Sequence, residues 1–390
     1  MKAREKSFLY SVLLIAPYLW SFLTQSDLNS KLKLGIVCPT ILTVAMLLYM
    51  SDRWSKKNQG IYGCFLFFAI FSIYMITIAS IHQNFWFAFA IVLVVGSVFS
   101  FSFLGYEIKY FGYIGYVFAA ISLVVVFDYV VGGLTAGWNP NSIGLVGING
   151  VYFLCLSIYL ENKRFFWIKI GIVALMLYLI SLTGCRSVIF GFFVFLMIRY
   201  LLFLPKRFPK WLYTMICAIL AVIPYIVMQV YMMLYNSSSR DLINLYVFEK
   251  TGKNLFTERE LIWTQIFKYS LKGGNFWFGR GRSHANAHSI TMDVWFSFGL
   301  IGVILFTLLI VFVAYQVYAH FDDLIVKTSM SCFWGLYIGQ TFETTFFSKS
   351  SICYNNLLYI FLAIAIGRYL YLHQETMKKT LPKKPERSKL

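Results

Sequence analysis

Long apolar runs recur along this chain, at roughly 8 to 24, 32 to 50, 60 to 81, 85 to 104, 110 to 134, 143 to 160, 165 to 182, 187 to 204, 210 to 233, 291 to 319, 324 to 346 and 352 to 372. A helix needs about 20 apolar residues to cross the hydrocarbon core of a bilayer. The pattern therefore predicts an all-α, polytopic integral membrane protein with about twelve transmembrane helices. One polar interval, about 234 to 290, is long enough to fold outside the lipid. The chain divides accordingly into a single transmembrane domain over 1–375, which contains that loop, and a basic tail over 376–390. The start, Met1 to Trp20, has the basic flank and apolar stretch of a signal peptide, but lacks a small-x-small cleavage site and is read as a retained span.

Composition agrees with this reading. Of 390 residues, 59% are apolar and 13% charged, with a mean hydropathy of +0.70, more apolar surface than a water-soluble fold could hide. With the N-terminus inside, the cytoplasmic segments collect twenty Lys and Arg against four in the short outer loops. This asymmetry predicts that both termini are cytoplasmic and that the 234–290 loop is extracytoplasmic; the loop's own eight cations do not count against it, because long loops escape the bias. The net charge of +18 then comes largely from membrane flanks and from the tail, where six cations face Glu386 alone, so no nucleic-acid partner is implied. That tail reads as solvated chain or as a segment that hugs anionic lipid. Aromatic residues, 19% of the chain, suit interfacial belts and glycan stacking equally. The seven cysteines are scattered through apolar runs and never form CxxC, and no His, Asp and Glu cluster has metal-ligand spacing. Neither a disulfide framework, a metal nor a cofactor is expected.

Two segments of the outer loop read as short helices. Ser238-Ser-Arg-Asp241 opens the first, which should stop at Thr251-Gly252. Thr257-Glu-Arg-Glu260 opens the second as a capping box and should stop it at Gly273-Gly274, with Ile262, Trp263, Ile266, Phe267 and Leu271 on one apolar face. Arg259 lies one turn before Trp263, placed to cover the indole, to reach an anion, or simply to be solvated. In Gly279-Arg280-Gly281-Arg282 the glycines allow close backbone approach and the arginines add charge, or the segment is a flexible linker. His284 and His288 follow, the second immediately before the span that begins near Thr291. Unpaired N–H groups at a helix start attract anions and disfavour a protonated imidazole, and a neutral imidazole can accept a proton. His288 could equally cap the helix or meet headgroups. Another outward hairpin carries Arg186 in Thr183-Gly-Cys-Arg-Ser187; a cation at an outer border and a helix start calls for an anion nearby, or for snorkelling to outer-leaflet headgroups. Parity of the spans puts Arg186, Arg259 and His288 on one side of the membrane.

These pieces resemble the family of bacterial O-antigen ligases and Wzy-type polysaccharide polymerases. In that family a His followed by Asn, Ser or Gln, nine further residues and Gly-x-x-Gly ends the large periplasmic loop; here His288-Ser289, residues 290–298 and Gly299-Leu-Ile-Gly302 fit it. Arg186 at its hairpin, Arg259 followed by Trp263, and Asn139-Pro-Asn141 resemble further family marks. Cys185 stands where the hairpin often has Ser or Thr, so no hydroxyl role is carried over there. The similarity spans roughly 139–310.

The resemblance implies an enzyme of the bacterial cytoplasmic membrane with its active site on the outer face. It implies that Arg186 and Arg259 bind the pyrophosphate of an undecaprenyl-linked glycan donor and that His288 acts on the acceptor hydroxyl. Arg280, Arg282, His284, Trp263 and Asn141 are further candidate substrate contacts. The preferred expectation is a polymerase of lipid-linked repeat units acting by metal-independent, inverting transfer; the alternative is a ligase that moves the polymer to lipid A core. Membrane lipids, and a regulator of chain length, are the remaining partners considered. A transporter is the reading from a different class, supported by Asp128 and Glu343 within apolar spans.

Overall fold

A computed structural model describes residues 62–85, 87–88, 91, 102, 111–157, 166–201, 209–252, 254–256, 258–282, 284, 287–342 and 357–380. The spans expected at 8–24 and 32–50, most of 85–104, Glu343, Thr257 and the end of the tail lie outside these residues. The helices are α1 (Tyr62–Ile81), α2 (Phe111–Val130), α3 (Pro140–Ser157), α4 (Phe166–Thr183), α5 (Arg186–Leu196), α6 (Lys210–Tyr235), α7 (Arg240–Thr251), α8 (Arg259–Ser270), α9 (Asn275–Phe278), α10 (Ile290–Val317), α11 (Leu324–Gly339) and α12 (Leu357–Thr380). A π-helical turn, Met197–Leu201, extends α5.

All regular structure among the described residues is helical. Three helices, Phe166–Thr183, Lys210–Tyr235 and Ile290–His320, are long and apolar enough to cross a membrane, and Phe68–Ile81, Gly115–Val130 and Leu358–His373 are shorter apolar stretches. The all-α expectation is met, and the count of about twelve crossings is not reached among the described residues. One reason is visible in α11, which carries Ser, Thr and Gly among its apolar residues and is buried from Ile325 to Gly339 except at Lys327. It is a core helix wrapped by neighbours. Its glycine face meets α5, where a Cβ added at Gly191 would collide with the Gly335 carbonyl, so the backbones approach as small-residue interfaces allow. Helix α12 runs on to Thr380, into the segment expected as the basic tail.

Contacts sort the helix ends into two sets. At one end Arg368 on α12 pairs with Asp323 at 2.9 Å, Tyr213 stacks on Tyr318 at 4.7 Å, and Lys169 Nζ donates to the Ser157 carbonyl at 3.3 Å. Arg199, nearly fully buried, donates to the Thr328 hydroxyl there. The other end gathers the C-termini of α1, α4, α6 and α11 with the N-termini of α3, α5 and α10 and the loop helices α7 to α9. Asp128, expected as an ion-path candidate, belongs to a turn at this end: its carboxylate accepts the backbone N–H and hydroxyl of Thr135 at 2.8 and 2.9 Å. The transporter reading loses its described acid to that turn.

Candidate functional site

Arg186 is positioned by a tight hairpin. Helix α4 ends at Thr183, Gly184 takes φ 73°, and buried Cys185 sits at the N-cap, so that exposed Arg186 is the first residue of α5. The Cys185 thiol faces the Asn141 carbonyl at 3.9 Å, which packs the first turn of α3 beside the hairpin. Arg186 and Ser187 edge a cleft of about 180 Å³ lined by Phe190, by Ile223 and Val227 of α6, and by Ile338 and Thr341. A cation above apolar walls is a chemistry suited to an amphiphile with an anionic head.

Helix α6 links this cleft to the loop. From Val227 to Tyr231 is about 6 Å of helical rise, and there Met228, Tyr231 and Met232 pack with Phe256, Trp263, Ile266, Ala287, Met292 and Phe296. The Tyr231 hydroxyl lies 3.1 Å from Glu260 Oε2, and Glu260 Oε1 accepts the Glu258 backbone N–H at 3.0 Å. The capping box expected at Thr257 is therefore corrected: Glu258, in left-handed backbone at φ 67°, is the N-cap, and buried Glu260 ties the helix start to α6. Half-buried Arg259 is the first residue of α8. That helix ends at Ser270, earlier than expected, and Leu271 is exposed, so the predicted apolar face is shorter by one residue; the short α9 follows. The first loop helix stops at left-handed Gly252, where the sequence places it.

The histidine segment sits on α8 and α10. Fully buried Trp263 donates its indole N–H to the Ala287 carbonyl at 2.6 Å, so it supports the segment from beneath. His288 is half-buried with φ 46°, a left-handed conformation uncommon outside glycine, and extended Ser289 leads into α10. His284 meets the Phe296 ring edge-on at 5.1 Å. Burial holds its imidazole below the usual histidine range, and the charges of Arg282 and His288 push it further down. Arg280 lies over the Tyr269 and Phe296 rings at 5.2 and 5.9 Å, while Arg282 is exposed.

Beneath this segment α10 is broken at Gly299 (φ 66°, ψ −169°). Three carbonyls before the break find partners elsewhere: Phe296 accepts from Arg280 N and Ser297 from Gly281 N, each at 2.9 Å, and Phe298 from the Tyr74 hydroxyl at 2.7 Å. Gly279 and Gly299 cross backbone to backbone, and a Cβ on either would strike the other strand. This accounts physically for the first glycine of Gly-x-x-Gly.

Arg186, Arg259 and His288 thus lie at or beside the starts of α5, α8 and α10, at one end of the bundle, with Trp263, His284, Arg280 and Arg282 around the last two and Asn141 beside the first. No N-cap side chain closes any of these three starts among the described residues. Nor do three His, Cys, Asp or Glu side chains among them converge as a metal-ligand set. Sequence reasoning missed Tyr74, whose partner Phe298 lies 224 residues along the chain, and missed Asp293; it read the glycine at 279 as one that allows close backbone approach without identifying Gly299 as what it approaches. Residues 171–307 match the family described as O-antigen ligase. No curated protein and no solved structure matches the chain.

Proposed function

From a chain whose residues 171–307 carry an O-antigen ligase family domain, we propose a membrane-embedded glycan transferase, of the bacterial cytoplasmic membrane, that polymerises oligosaccharide repeat units linked to undecaprenyl pyrophosphate. The observations that support this most are Arg186 at the edge of a cleft with apolar walls, and Arg259 and His288 at the start of α8 and just before α10, two helices that pack against the same helix α6. In the reaction the acceptor hydroxyl oxygen attacks the anomeric carbon, the bond from that carbon to the pyrophosphate oxygen breaks with its electron pair, and the hydroxyl proton passes to the His288 imidazole. The departing group gains negative charge, which Arg186 and Arg259 offset through bidentate hydrogen bonds, helped by helix N–H groups. Attack opposite the leaving group inverts the anomeric centre. The site faces the periplasm or exterior, and the family resemblance leaves ligation to lipid A core as the second reading.

A deletion strain complemented with variants tests both. Surface glycans on gels should show single repeats on core when the gene is absent; polymer accumulating on the lipid carrier would instead identify a ligase, and normal glycans would reject both. His288→Ala, Arg186→Ala and Arg259→Ala should each abolish product with protein levels unchanged. Lys at either arginine should restore less than about a tenth of the product, because a point charge lacks the planar fork. Full activity of both Lys variants would contradict bidentate binding.

A further inference from the structure

Asp293 is fully buried in the first turn of α10. Its Oδ1 accepts the backbone N–H of His284 at 2.9 Å and lies 3.3 Å from the Ser297 hydroxyl, which itself lies 3.0 Å from the Arg282 carbonyl. Two side chains one helical turn apart therefore grip the loop backbone at 282 and 284. The restraint continues along the chain: Ala287 N donates to the His284 carbonyl at 3.2 Å, the Ala287 carbonyl is held by Trp263, and Asp293 N donates to the Ser289 carbonyl at 3.0 Å. His288 hangs between two fixed points.

A carboxylate serving only the helix dipole works as well at the surface. Burying it carries a large desolvation cost that hydrogen bonds to its oxygens must offset, and here Oδ1 accepts from the backbone of the segment that carries the histidines. We propose that Asp293 is a positioning residue for His288, fixing with Ser297 the height of the 282–288 segment over the start of α10. Its effect on product rests on the transfer chemistry above; its effect on loop geometry does not. A general base displaced by 1 Å can lose about a hundredfold in rate, so the restraint matters even though Asp293 touches no substrate.

The test uses the full-length chain in detergent and in the deletion strain. Carbethoxylation of His284 and His288 by diethyl pyrocarbonate, followed by mass spectrometry, reads loop protection; surface-glycan gels read product. Asp293→Ala should raise modification about fivefold or more and cut polymer at least about tenfold. Asp293→Asn keeps an acceptor oxygen and should stay within about twofold of the parent on both readouts. Ser297→Ala should shift both in the direction of Asp293→Ala, and it carries the test if Asp293→Ala does not fold. Unchanged protection in the folded alanine variants would overturn the proposal. So would an inactive Asp293→Asn with protected histidines, which would assign the charge itself to the chemistry. Should His288→Ala retain product while Asp293→Ala still exposes the loop, the transfer mechanism falls and the positioning of the segment stands.

Discussion

His284 shows how much one side chain's surroundings decide. Its imidazole packs against Phe296 with Arg282 and His288 nearby, and its pKa is lowered from the ordinary 6.5, first by burial. The unfolded chain takes up a proton just below 6.5 while the folded chain resists, so His284 supports folding above that pH and the support is lost as pH falls toward the folded value. The melting temperature of the purified protein should therefore drop between pH 7.5 and 5, with a shallower drop for His284→Gln. Identical slopes for the two proteins would contradict this. His288 and Glu258 mark another residue-scale feature, since both hold left-handed backbone beside a proposed functional group. Nothing in the letters His or Glu announces that conformation; the packing of Trp263 and the pull of Tyr231 on Glu260 impose it.

Among the elements, α10 departs furthest from its hydropathy pattern, which reads as one unbroken span. Its residues are apolar on both sides of the break, so periodicity alone cannot reveal it. The signal lies in Gly299, whose φ and ψ fall in a region that side chains avoid, and in the distant Gly279 that crosses it. Gly299→Ala should cost about 1–3 kcal/mol from backbone conformation alone, more with the collision against Trp277 and Phe278, and should abolish product although residue 299 is neither of the arginines nor His288. Tyr74→Phe, which removes one hydrogen bond to the Phe298 carbonyl, should cost only about 1 kcal/mol. Thermal unfolding of both variants checks the order, and equal losses would mean that the crossing is not what holds the break. By contrast the α4–α5 hairpin and the stop of α7 at Gly252 are readable locally, because a left-handed glycine after an apolar run ends a helix within a few residues.

At the scale of the whole molecule, the charge bias along the sequence predicts which helix ends meet the cytoplasm. Cysteines introduced singly at Ser238 and Ser388 should test which compartment each meets: a membrane-impermeant maleimide should label the first in intact cells with an opened outer barrier, and the second only after the cytoplasmic membrane is breached. Labelling in the reverse order would invert the topology. Apolar run length is an additive property of short windows, and so the helical class, the long polar loop, its two helices and the motif-bearing residues are set by the chain's letters alone. Whether Arg186 stands above a cleft shared with Val227, whether Glu260 reaches Tyr231, and whether Asp293 holds His284 depend on which helices lie side by side. The first two pairings join residues far apart in the chain and the third ties a helix to the loop before it, and only the packed bundle, where buried polar groups must find partners, selects them.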